Sequence, residues 1–106
     1  MSLVEKERRW GPMRSADEYR AIERRLEVLM ASVPDLPVDE IASARGLIDA
    51  GEYEIALENL ITQIVELDVE VDAATQEEFR QFAWTLDLKP RYFELVEMMI
   101  LQPFVM

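Results

Sequence analysis

The chain has 106 residues, 50% of them hydrophobic and 31% charged, a balance that suits one globular domain able to bury a core without disulfides or metals. It contains no cysteine and no histidine and carries a net charge of −11. That composition removes a disulfide framework, most zinc and iron sites, the thiol nucleophile and the Ser–His arrangement. The acidic field repels nucleic acid and anionic lipid and attracts basic proteins.

The charge is unevenly spread. Residues 1 to 33 hold six acids and seven bases, whereas residues 35 to 78 hold thirteen acids and one base, Arg45. From Gly46 through Phe79 no side chain is positive. An acidic exterior keeps a protein soluble, but solubility is usually met by interspersed signs, so a one-sided run also marks a candidate docking face. Residues 1 to 14 read as a basic N-terminal arm, open to disorder, ahead of a single helical domain over 15 to 106. The first ten residues are charged, and no apolar segment of the signal-peptide kind follows them. The apolar run Met98–Leu101 is far too short to cross a bilayer. The expected setting is the cytoplasm, with no membrane and no nucleic-acid partner.

Ser15-Ala16-Asp17-Glu18 is a capping box that opens a helix over about 16 to 32. Tyr19, Ile22, Leu26, Leu29 and Met30 form its apolar stripe. Pro34 and Pro37 end it. A second helix over about 38 to 50 turns Ile41, Ala44, Leu47 and Ile48 inward, and Gly51 then sits where a helix end favours a left-handed residue. The third helix, about 52 to 67, has the clearest pattern: Tyr53, Ala56, Leu57, Leu60, Ile61 and Ile64 on one face, with acids largely elsewhere.

Residues 66 to 72 alternate acid and apolar, which is a strand signature. With no second strand evident to pair with it, the segment reads as a helix end followed by an extended connector. Thr75-Gln76-Glu77-Glu78 is a second capping box, predicting a fourth helix to about Leu86 with Phe79, Phe82, Ala83 and Leu86 inward. Trp84 falls beside that stripe and is expected at its edge, in the core sooner than on a binding surface. Pro90 suits the first turn of a fifth helix marked by Phe93, Val96, Glu97 and Ile100 and limited by Pro103. The apolar segment from Met98 to Met106 is compatible with the core, with a second copy or with exposure. Short links favour an all-α, compact bundle of about five short helices packed antiparallel. The oligomeric state is left open.

Asp68, Glu70 and Asp72 resemble the opening of a calcium loop, but Ala73 stands where the turn needs Gly and Phe79 where a bidentate Glu is needed. The segment therefore reads as a solvated acidic connector. Paired carboxylates can do acid–base work, yet no pair is singled out and no glycine-rich phosphate loop occurs. No cofactor and no metal is implied, and a binding protein is expected in place of an enzyme.

The stretch Leu47-Ile48-Asp49-Ala50-Gly51-Glu52-Tyr53-Glu54-Ile55-Ala56-Leu57-Glu58-Asn59-Leu60 resembles the MafI-type immunity proteins of bacteria. The likeness extends in outline from Ala16 to Val96, with only residues 47 to 60 motif-like, and the basic arm lies outside it. The same residues also suit any helix–turn–helix hairpin. The resemblance implies a small helical protein that binds and neutralises a cognate secreted toxin, often a nuclease with a basic active site. Glu52, Glu54, Glu58, Asp68, Glu70 and Asp72 are the candidate contacts for such a partner. The competing expectation is a cytoplasmic helical adaptor or regulatory subunit that binds another protein through its apolar C-terminal segment.

Overall fold

The computed structural model describes residues 14–103. Ser15 caps the first helix as its sequence demands: the Glu18 amide donates to the Ser15 hydroxyl at 3.2 Å, and the Ser15 amide donates to the Glu18 carboxylate at 3.1 Å. The helices among the described residues are α1 (Ala16–Ala31), α2 (Val38–Asp49), α3 (Tyr53–Glu66), α4 (Ala73–Thr85) and α5 (Pro90–Glu97). They form an all-α bundle. Most of the basic arm expected over residues 1 to 14 lies outside the described residues.

Helix α3 occupies the centre. All six residues of its apolar stripe are buried, and the helix packs most closely against α2 and then α5. The stripes of α1 and α4 close the same core, with Leu26, Phe79 and Phe82 almost wholly inaccessible. Val33 and Leu36, in the link between the two prolines' positions and α1, are buried as well.

Three helices end in the same way. After α2, α3 and α4 the residues Gly51, Asp68 and Asp87 adopt left-handed backbone angles, with φ of 77°, 53° and 58°. In each case two backgoing hydrogen bonds close the end. Glu52 and Gly51 donate to Leu47 and Ile48, Val69 and Asp68 to Ile64 and Val65, and Leu88 and Asp87 to Ala83 and Trp84. This is the Schellman arrangement, in which glycine is the usual left-handed residue and Asn or Asp the tolerated substitutes.

Two boundaries differ from the sequence reading. Helix α4 begins at Ala73, capped by Asp72, whose carboxylate accepts from the Thr75 amide at 2.6 Å. Thr75 is thus inside the first turn and buried, so the second capping box does not form. Asp is at least as good a cap as Thr, and it comes first along the chain.

The second difference is at the C-terminus. Helix α5 stops at Glu97, and Ile100–Leu101 (β2) pairs in parallel with Glu70–Val71 (β1), Glu70 opposite Ile100 and Val71 opposite Leu101. The alternation over 66 to 72 therefore does mark a strand, two residues long, and its partner is the segment expected to prolong the last helix. The connection through α4 and α5 supplies the crossover that a parallel pair requires. The Gln102 amide extends the ladder to the Val71 carbonyl at 2.8 Å, and Met99 is buried beneath it.

Because a side chain strains a left-handed backbone, Asp68→Gly is expected to raise stability by about 0.5 kcal/mol and Gly51→Ala to lower it by about 1 kcal/mol. Urea unfolding midpoints measure both. A lowered midpoint for Asp68→Gly would mean that the aspartate side chain makes a contact worth more than the strain.

Candidate protein-binding surfaces

The six acids singled out in the sequence do not form one cluster. Glu52, Glu54 and Glu58 are half-buried on the first half of α3 and the residue before it. Asp68, Glu70 and Asp72 are exposed beyond its other end. Helix α3 runs to Glu66, so at 1.5 Å of rise per residue about 12 Å of helix lies between Glu58 and its end, beyond which the second group begins. Two of the second group have structural duties: Asp68 is the left-handed residue that ends α3, and Asp72 caps α4. Glu70 stands in β1 with its side chain exposed. Among the described residues no group of three or more Asp, Glu, His or Cys side chains is placed to hold a metal ion.

The bases that flank this stretch in sequence, Arg45 and Arg80, are both in ion pairs. Arg45, the one cation between residues 35 and 78, is drawn to α1, where its guanidinium donates to both carboxylate oxygens of Glu27 at 3.0 and 3.3 Å. Arg80 on α4 pairs with Glu77 and with Glu97 on α5. The acidic stretch from Gly46 to Phe79 is therefore not offset by Arg45.

The motif that carries the family resemblance builds the α2–α3 hairpin. Gly51 supplies the positive φ, while Tyr53, Ala56, Leu57 and Leu60 are core residues. The Tyr53 hydroxyl donates to the Glu23 carboxylate on α1 at 2.8 Å, and its ring lies 5.7 Å from that of Tyr19. Burial pushes the Tyr53 phenol up to about 12, and the hydrogen bond to Glu23 adds to the shift.

A second surface was missed by the sequence reading. Trp84, expected at the core's edge, is 79% exposed. Helical geometry explains it: at 100° per residue Trp84 lies about 150° from the centre of the Phe79-Phe82-Ala83-Leu86 stripe, on the opposite face of α4. It packs edge-on against Phe93 of α5 with ring centroids 6.3 Å apart. Together they line an open groove of about 1060 Å³ between α4, α5 and Arg25 of α1. Glu77, Asp87 and Glu94 are among its lining residues, as are Arg25 and Arg80, and the Arg25 guanidinium lies 4.5 Å from the centroid of the Phe82 ring. The C-terminal segment is divided: Met99 is buried, whereas Met98, Ile100 and Leu101 are partly exposed.

No protein-family model, no curated protein and no solved structure matches the chain. No helix among the described residues is long and apolar enough to cross a membrane.

Two pH dependences follow. The Thr75 amide holds the Asp72 carboxyl below its ordinary value, so the cap's contribution is present above about pH 4 and fades as pH falls through the native value. Asp72→Ala is expected to cost about 1 kcal/mol at neutral pH, a difference that closes under strong acid. Tyr53 has the opposite sense: with its native value above the unfolded one, its contribution is complete below about pH 10 and is lost as pH rises toward 12. Unfolding curves from pH 8 to 12 should fall more steeply for the native chain than for Tyr53→Phe, and parallel curves would rule out the phenol as the cause.

Proposed function

We propose that this protein acts by binding a basic protein partner, and that catalysis is no part of its role. The carrying observation is the acidic run from Gly46 to Phe79, which contains no cation and whose neighbouring base, Arg45, is engaged with Glu27 on the α1 side. Charge on this scale steers encounter with an oppositely charged surface and raises the association rate more than the final affinity. Of the candidate acids, Glu52, Glu54, Glu58 and Glu70 are better suited to docking than Asp68 and Asp72, which the backbone uses.

The resemblance of residues 47 to 60 to MafI-type immunity proteins extends the proposal. On that resemblance the partner is a secreted toxin domain, with a basic nuclease-type active site, that this protein covers and neutralises in the cytoplasm. The support is the resemblance of residues 47 to 60 together with the charge. A second reading, an adaptor that binds through its C-terminal segment, is favoured by the exposure of Met98, Ile100 and Leu101.

Co-expression tests the first reading. The toxin-like domain encoded beside this gene should kill cells alone and spare them when this protein is present. Reversing Glu52, Glu58 and Glu70 to Lys should slow association about tenfold or more at low salt and flatten its salt dependence. An association rate unchanged by those reversals would exclude the acidic surface as the docking element.

A further inference from the structure

The groove beside Trp84 has no duty in the fold. A tryptophan left 79% exposed contributes little to the core, yet it is held in place by Phe93 and by its position in the last turn of α4. Its carbonyl accepts the Asp87 amide at 3.1 Å in the turn that ends the helix. Rigid, exposed tryptophan set in an apolar depression is the commonest signature of an energetic hot spot at a protein interface. The groove is open to solvent and lies between helices, as a helix-binding groove does.

Charge selects the occupant. Of the two guanidiniums that line the groove, Arg80 is paired with Glu77 and Glu97, and Arg25 lies over the Phe82 ring. The Glu94 carboxylate adds negative charge to the lining it shares with Trp84, within the field of a chain whose net charge is −11. A cation is favoured there twice, by that carboxylate and by the face of the Trp84 ring.

We propose that the groove between α1, α4 and α5 seats an amphipathic segment of a protein partner, with apolar side chains against Trp84 and Phe93 and flanking Lys or Arg toward Glu94. This rests on the reading of the partner as a basic protein and adds to it a second contact. Asp72, which caps α4, and Trp84 are 12 residues apart along α4, about 18 Å, so the groove lies one helix length from the β1 end of the acidic stretch.

The test uses the full chain carrying Trp10→Phe, which leaves Trp84 as the only tryptophan. The probe is a synthetic amphipathic helix of Leu and Lys, with a Leu/Glu helix of the same pattern as its control. Trp84 emission is expected to shift to the blue and saturate with the Leu/Lys peptide and to stay unchanged with the Leu/Glu peptide. In calorimetry Trp84→Ala should weaken the Leu/Lys peptide at least tenfold, with the circular dichroism spectrum confirming that the variant keeps its helices. Equal affinity for the variant, an unshifted emission, or equal binding of the Leu/Glu peptide would overturn the proposal. So would a blue shift that grows with protein concentration in the absence of peptide, because a second copy would then fill the groove. If Trp84→Ala retains affinity while the Glu52, Glu58 and Glu70 reversals weaken it, the groove fails and the acidic surface stands. The converse result supports the groove and excludes the acidic surface.

Discussion

The burial of one face of α3 is the constraint on which the other helices depend. Leu57, Leu60, Ile61 and Ile64 are each removed almost entirely from water, and each such side chain stabilises the fold by about 2 kcal/mol. A helix of 14 residues is marginal in isolation, so this face forms only because α2, α5 and α1 close over it. The tight α2–α3 turn at Gly51 sets the first of these contacts. The Tyr53–Glu23 hydrogen bond fixes α1 across the same helix, where a buried phenol without a partner would be costly.

Several of the acidic residues have a part in building the fold. Asp68 and Asp87 end helices in left-handed turns, Asp72 starts one, and Glu23 satisfies the Tyr53 phenol. Glu27 and Glu97 each join two helices through an arginine. Exposed pairs of this kind contribute about 0 to 1 kcal/mol each, so they orient helices more than they stabilise them. The acidic stretch from Gly46 to Phe79 has no cation of its own, and charge of one sign costs stability through self-repulsion.

Much of the bundle was legible because its helices are strongly periodic. The stripe of α3 could be written down residue by residue, and so could the Ser15 capping box and the turn at Gly51. What escaped was whatever depends on contacts distant in the chain. Residues 66 to 72 looked like a strand without a partner because the partner, Ile100–Leu101, lies some thirty residues on and resembles the tail of a helix. The first turn of α4 was misplaced because Asp72 and Thr75 are both good caps, and local sequence does not say which one the chain uses. Trp84 is a different case, since its place opposite the buried stripe follows from helical spacing alone. Its size suggested the core, and the angle was the better guide. For the six acids, position along α3 was readable, but the use of Asp68 and Asp72 by the backbone was not.

The left-handed turn at Asp87 links the fold to the groove. It ends α4 directly after the turn that holds Trp84, and Pro90 opens α5 three residues later. The angle between the two helices, and hence the width of the groove, is set within these few residues. Two further contacts keep that angle. Arg80 bridges to Glu97, and the Gln76 side chain donates to the Val96 carbonyl at 2.9 Å. Beyond them the β1–β2 pair ties the end of α5 to the start of α4. Trp84 is therefore presented by a frame closed at both ends, so occupation of the groove proposed above would cost little conformational freedom. A tryptophan exposed by a slack surface would lose that advantage to ordering. The short parallel pair contributes Val71 to the core and also holds α4 and α5 in register around the groove.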